Sequence, residues 1–116
     1  MERGRILILG NSKETTYEIR SLLDNHRFEV EIALSQEVGK AVLSTRQMNL
    51  VMLHTEMLQA EDVDFLSFLK EKLERTPVAI LGGENGTEAP IEFTSDVGRF
   101  PKPYRSEDLL SFIDSL

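Results

Sequence analysis

The sequence contains no cysteine among its 116 residues. Without thiols, the chain can form neither a disulfide framework nor a thiolate metal site. It also contains no apolar run that approaches the ~20 residues of a transmembrane helix, and its charged start is not followed by the apolar segment of a signal peptide. We therefore expect a cytoplasmic domain that does not associate with membranes.

Positive charge is scarce as well, because 13 lysines and arginines stand against 20 aspartates and glutamates, for a net charge of −7. Binding to nucleic acid needs Lys and Arg clustered on the phosphates, so we expect no direct nucleic-acid binding by this domain. A chain of this length buries roughly two-thirds of its unfolded surface, which is enough for a hydrophobic core. The sequence predicts a single domain over residues 1–116, either complete or part of a longer protein.

Strands are the clearest elements in the sequence. Ile6–Leu9 and Leu50–Leu53 are continuous apolar runs, which predicts strands that are covered on both faces. Phe28–Ile32 alternates apolar with acidic residues, as expected of an edge strand. Pro77–Leu81 is predicted as a fourth strand and Arg99–Phe100 as a brief fifth.

Between the strands, apolar residues recur at helical spacing. The side chains that we expect to face the core are Ile19, Leu22, Leu23 and His26 in the first helix, Val38, Ala41, Val42 and Thr45 in the second, Phe65, Leu66, Leu69 and Leu73 in the third, and Leu109, Leu110, Ile113 and Leu116 in the last. The predicted caps are Asn11 or Ser12, Ser35, Asp62 and Ser106, whose short polar side chains can accept from the first free amides of a helix.

The resulting order is strand–helix repeated five times, which gives a parallel sheet with right-handed crossovers. The fourth helix is the exception, because Thr87–Gly98 contains an early proline and few apolar residues, so we expect a short or distorted element there. With the acidic second strand at the edge, the pattern fits a doubly wound α/β fold of the flavodoxin-like type, with strand order 2-1-3-4-5 and helices on both faces.

In such sheets, ligands bind beyond the carboxyl ends of the strands. The positions that follow the strands there are Gly10, Asn11, His54, Gly82 and Lys102. They include no aromatic residue for stacking and no cluster of donors, which weakens the hypothesis of a nucleotide-binding or flavin-binding domain, or of an enzyme built on these strand ends.

At this point the chain resembles the CheY-like receiver domain of bacterial two-component response regulators, over essentially its whole length. The resemblance rests on Ile6–Leu9 with its two-residue turn, on Leu50–Leu53, on Pro77–Leu81 and above all on Phe100–Tyr104, a Lys-Pro-aromatic ending before the last helix. It implies a signal-transduction domain that acts on a protein partner or an attached output domain. Atypical receivers often stand at the N-terminus of transcription activators, and others act alone.

The resemblance also implies a phosphorylation site, and this chain departs from it at most positions. Where an active receiver has two Mg²⁺-binding acids, this chain has Gly10 and Asn11, and where it has the phospho-accepting Asp, this chain has His54. The hydroxyl residue is replaced by Gly82, and only Lys102 matches. Mg²⁺ prefers carboxylate oxygens, and acyl phosphate formation needs a carboxylate. We therefore expect a degenerate site with no catalytic residue, metal or cofactor, and a domain that is not an enzyme.

A further departure lies at the switch position, where the family usually has Tyr or Phe and this chain has Arg99. The resemblance implies that the output face is formed by the irregular fourth element, the fifth strand and the last helix. We expect this face to dock a partner or to form a homodimer. The alternative is a receiver that is phosphorylated on a non-standard residue within a phosphorelay.

Two expectations concern side chains at the degenerate site. We expect His54 to fill the vacated pocket rather than to bind a metal or carry a phosphoryl group. The ammonium of Lys102 lacks its usual carboxylates, so we expect it to pair with Glu56 or Glu84 or to turn to solvent. The resemblance also implies a cis peptide between Lys102 and Pro103.

Overall fold

The structure is a computed structural model, and it describes residues 4–24, 28–59, 61–82, 93, 97–100 and 105–115. The strands and helices of these residues, in chain order, are β1 (Gly4–Leu9), α1 (Lys13–Asp24), β2 (Phe28–Ala33), α2 (Gln36–Thr45), β3 (Leu50–His54), a 3₁₀ turn (Thr55–Met57), α3 (Val63–Lys72), β4 (Val78–Leu81), β5 (Val97–Phe100) and α4 (Ser106–Asp114). None of the described helices is both long and apolar enough to cross a bilayer.

The five strands form one parallel sheet with the order β2-β1-β3-β4-β5. This order confirms the predicted fold, including the position of β2 at an edge. On β1, Ile6 lies in register with Val30 of β2 on one side and with Leu50 of the central strand β3 on the other. Because all strands run in one direction, their carboxyl ends lie along the same edge of the domain.

Helices cover both faces of the sheet, which explains why the inner strands are apolar without alternation. Successive residues of β1 point to opposite faces, so Ile8 packs with α1 and α4 while Leu9 packs with α2 and α3. On the first face, Ile19 and Leu23 of α1 are buried together with Leu109 and Ile113 of α4. On the second face, Phe65 and Leu69 of α3 are buried, as predicted.

The prediction for the inward face of α2 is wrong at three of its four positions. Val42 is partly buried and packs against the core, as predicted, but Val38, Ala41 and Thr45 are exposed, and the fully buried residue of this helix is Gly39. A Cβ on Gly39 would lie only 2.9 Å from Cδ1 of Leu9, so the missing side chain allows the helix backbone to approach the sheet closely. This contact determines which side of α2 faces the sheet. The apolar pattern of the sequence does not indicate it, because glycine has no side chain.

The predicted helix caps have mixed outcomes. The hydroxyl of Ser35 accepts from the amide of Val38 at 3.2 Å, which confirms the cap of α2. Asp62 does precede α3, but its carboxylate accepts from Nε2 of Gln36 at 2.8 Å instead of capping the helix. Ser106 is the first residue of α4 and not its cap, which is Arg105.

The predicted irregular element, Thr87–Gly98, lies mainly outside the described residues. Its last two residues, Val97 and Gly98, belong to β5, so the fifth strand is longer than predicted. His26 and Leu116, which were expected to face the core, also lie outside the described residues.

Candidate functional site at the carboxyl ends of the strands

Three of the predicted site positions meet at the carboxyl end of the sheet. Gly10 follows β1, and its amide donates to the carbonyl of Ala33 at 3.1 Å. His54 is the last residue of β3 and lies in register with the end of β4, so Gly82 follows directly beside it. Asn11 is exposed in the turn before α1. Lys102 and its predicted cis bond to Pro103 lie outside the described residues.

The imidazole of His54 packs against the backbone of Gly10. His54 is fully buried, with 0% of its surface exposed. A Cβ at position 10 would lie 2.6 Å from Cδ2 and 3.1 Å from Cγ of the imidazole. The first distance is shorter than two carbon atoms can approach without one of them moving. With the ring in this position, residue 10 therefore fits only as glycine.

Thr16 of α1 forms a second wall of this contact, and it was not among the residues predicted for the site. Its side chain is fully buried, and its methyl carbon would lie 3.1 Å from a Cβ at Gly10. The hydroxyl donates to the carbonyl oxygens of Ser12 at 2.9 Å and Lys13 at 3.1 Å, which allows it to be buried without losing hydrogen bonds. Thr16 lies three residues before Ile19, so the helical spacing would have revealed it had threonine been counted.

Glu56 lies beside His54 in the turn that follows β3. Its Oε1 is 4.0 Å from Nδ1 of the imidazole, which makes it an electrostatic neighbour and not a hydrogen-bond acceptor. About a third of the Glu56 side chain remains exposed, at 32%. The expected pairing of Lys102 with Glu56 or Glu84 stays a prediction, since Lys102 and Glu84 are outside the described residues.

Gly82 has a backbone conformation that suits glycine alone. Its φ is +99°, and its amide donates to the carbonyl of Phe100 at 3.0 Å. Side chains with a Cβ are strained in this region. A hydroxyl residue at position 82, as an active receiver would have, could not adopt this backbone without strain.

The side chains at positions 10, 11 and 54 do not fit Mg²⁺. A hard cation prefers several oxygen ligands, whereas position 10 has no side chain, Asn11 has a neutral amide and His54 has ring nitrogens. Within the described ranges, no group of three or more His, Asp or Glu side chains is placed to hold a metal ion.

Arg99, which the resemblance predicts at the switch position, lies on β5 in register with Ile80, and its side chain is exposed. Its neighbour Phe100 points inward and packs edge to face on Phe112 of α4, with 5.7 Å between the ring centroids. Gly98 lies against the same ring, since a Cβ there would come within 2.9 Å of it. The β5 strand and α4 therefore form one packed unit, which we call the β5–α4 face (97–100 and 106–114).

No family model matches this chain, and no curated protein is detectably similar to it in sequence. Solved structures do match. The signal receiver domain of an HD domain-containing protein from Pseudomonas fluorescens Pf-5 superposes with a TM-score of 0.77 at 16% identity, over 98% of this chain and 94% of that one. The receiver domain of the Francisella response regulator 1452 gives a TM-score of 0.75 at 16% identity, over 97% and 95%.

A third match is NtrX from Brucella abortus, with a TM-score of 0.80 at 18% identity over 99% of this chain but 26% of that chain. Together with the strand order and the two helical layers, these matches show that the chain has the fold of response-regulator receiver domains. The resemblance predicted from the sequence is therefore confirmed at the level of the fold.

Proposed function

We propose that this domain is an atypical receiver that regulates a protein partner or an attached output domain by protein–protein contact, without aspartyl phosphorylation. The observation that carries the proposal is the packing of the buried His54 ring against Gly10. The ring fills the volume next to position 10, where an active receiver would have a metal-binding side chain. Such a domain is not an enzyme, and it would act in the cytoplasm.

The chemistry of the site supports this proposal over phosphorylation of a non-standard residue. An acyl phosphate requires a carboxylate nucleophile, which position 54 lacks. A histidine can accept a phosphoryl group on a ring nitrogen, but the ring of His54 has no exposed surface for a phosphodonor to reach. Gly82 stands where an active receiver has a phosphate-binding hydroxyl residue. It has no side chain, and its backbone conformation would strain a residue that has one.

The surface that we propose for output or homodimerisation is the β5–α4 face. Arg99 is exposed on it, and the packing of Phe100 and Gly98 on Phe112 joins the strand rigidly to the helix. An attached output domain is consistent with NtrX, in which the matching segment is 26% of the chain.

Incubation with acetyl phosphate and Mg²⁺ tests the proposal directly. We expect intact-mass spectrometry to show an unchanged mass, with a phosphorylatable receiver treated in parallel as the positive control. The reason is that Gly10, Asn11 and His54, which stand where an active receiver has its metal-binding acids and its phosphoacceptor, carry no carboxylate. A gain of one phosphoryl group, mapped to a strand-end residue such as His54, would overturn the proposal in favour of a non-standard phosphoacceptor.

A further inference from the structure

Within the described residues, the two edge strands of the sheet differ in length. The β2 strand has six residues, and each pairs in unbroken register with a residue of β1, so the strand contains no bulge. The opposite edge, β5, has only four residues. A terminal strand presents unpaired backbone amides and carbonyls, and natural proteins usually shield them with short strands, bulges, proline or charged side chains. The β2 edge (Phe28–Ala33) has no bulge and no proline, and its charged side chains are Glu29 and Glu31.

The two faces of β2 differ in chemistry. Phe28, Val30 and Ile32 lie on the α1 and α4 side and stay partly exposed. Glu29 and Glu31 lie on the α2 side, because Glu31 is in register with a β1 residue that packs in that core.

Each of these two glutamates already contacts one arginine of this chain. Glu29 accepts from Nε of Arg5 at 3.1 Å, and Glu31 pairs with Arg46 at the end of α2. A carboxylate has about four acceptor sites, so both glutamates can accept further hydrogen bonds. Both side chains also remain partly exposed.

The outer flank of α2 lies above this edge. Gly39 of α2 faces the sheet. Lys40 is about 100° further around the helix. Its Nζ lies 6.0 Å from the centre of the Phe65 ring of α3. Val38 is about 100° around in the other direction, so it points away from α3 and towards the side of β2. Its side chain is 45% exposed, and Ala41 is exposed as well. We call Val38 and Ala41 the α2 flank.

We propose that the β2 edge and the α2 flank bind an extended segment of a protein partner with alternating basic and apolar residues, which adds to the sheet as a sixth strand. Its backbone would pair with β2. Its basic side chains would reach Glu29 and Glu31 while their aliphatic stems cover the α2 flank. Its apolar side chains would extend the apolar row on the other face. The net charge of −7 favours the approach of a basic partner.

Charge argues against a second copy of this chain as the occupant in the two antiparallel registers that pair the most residues of β2. In the symmetric antiparallel register centred on Val30, Glu29 lies opposite Glu31 of the second copy. In the register centred on Glu31, the two copies of that residue face each other. Like charges directly opposite in a sheet are destabilising, so the edge favours a basic strand over itself. This inference concerns the edge opposite to the β5–α4 face, and it is independent of the phosphorylation state.

The test uses the full chain and a capped peptide of alternating lysine and valine as the probe. We expect NMR amide shifts on β2 and the α2 flank, and an affinity that falls as salt is added. Two further peptides carry N-methyl groups on one or the other alternate set of amides. A peptide strand pairs through one of its edges, so only one of the two methylated peptides should lose binding.

Variants separate the edge from general electrostatic attraction. Glu29→Gln and Glu31→Gln should each weaken peptide binding about two- to five-fold, the range of a cross-strand charge pair. Glu71→Gln removes the same charge from the exposed surface of α3 and should leave binding unchanged. Amide spectra of each variant, recorded first, show that the sheet is intact.

Four results would each overturn the proposal. They are shifts on β5 instead of β2, an equal effect of Glu71→Gln, unimpaired binding by both methylated peptides, and concentration-dependent dimerisation through β2 without peptide. The last of these would assign the edge to a second copy.

Discussion

Leu53 and His54 are neighbours in β3, and both side chains are fully buried, yet they are held in place differently. Leu53 lies in the core between the sheet and the α2 and α3 helices, among aliphatic and aromatic neighbours. Such cores tolerate apolar replacements of similar volume. His54 lies at the strand end against Gly10, where the space for any further side chain is already taken. The body of the sheet thus requires apolar volume, whereas its carboxyl end requires particular residues.

This difference explains how a chain with the receiver fold can have other residues at its strand ends than an active receiver has. Gly10 and His54 depend on each other through a steric contact, and Gly82 depends on its backbone conformation. An acid at position 10 would collide with the ring of His54. A side chain at position 10 therefore conflicts with His54, whereas a side chain at position 82 is strained by the backbone itself.

The largest expected change in the free energy of unfolding comes from a substitution in the body of the sheet. Leu53→Ala should lower the free energy of unfolding by about 2–5 kcal/mol, since it removes a fully buried side chain and leaves a cavity. Urea denaturation followed by circular dichroism measures this loss. Val63→Ala, at a side chain that is 63% exposed, is the control and should change stability by no more than about 0.5 kcal/mol. Equal effects of the two changes would contradict the burial of Leu53.

A smaller loss of stability, which depends on one neighbouring side chain, is expected at the strand end. Gly10→Ala should destabilise the domain by about 1–3 kcal/mol, because the new methyl group overlaps the ring of His54. In a His54→Ala background the same change should have little effect, which gives a coupling energy of about 0.5–3 kcal/mol in a double-mutant cycle. An equal loss in both backgrounds would show that the ring is not the obstacle.

The fold was predictable from the sequence because its signals are long and redundant. Ile6–Leu9 and Leu50–Leu53 indicate buried strands without any knowledge of their neighbours. His54 was expected to fill a pocket at the strand ends, but the contact of its ring with Gly10 was not predicted, because glycine gives no hydrophobic signal and a side-chain direction depends on tertiary packing. Gly39 misled the prediction for α2 for the same reason.

The third expected loss of stability is at Gly82, and it distinguishes backbone strain from steric overlap. Gly82→Ala should cost about 1–2 kcal/mol, since a Cβ is disfavoured at a φ of +99°. Unlike the loss at Gly10, this loss should be the same with and without His54→Ala, and urea denaturation of the four proteins measures it. Rescue by His54→Ala would instead indicate that residue 82 also competes for space with the ring.

The smallest effect concerns Thr16, whose methyl carbon lies against Gly10 and whose hydroxyl bonds to the carbonyl of Ser12. Thr16→Ser keeps the hydroxyl and removes the methyl group, so it should cost about 0.8 kcal/mol. Thr16→Val is the matched control that keeps the methyl and removes the hydroxyl, with an expected loss of about 0.5–1.5 kcal/mol. In the Gly10→Ala background the loss from Thr16→Ser should shrink, because removing the methyl also makes room for the new Cβ. The loss of stability from Thr16→Val should be the same in both backgrounds. If the Gly10→Ala background reduced the losses from Thr16→Ser and Thr16→Val by the same amount, Thr16 would not be a wall of the strand-end contact.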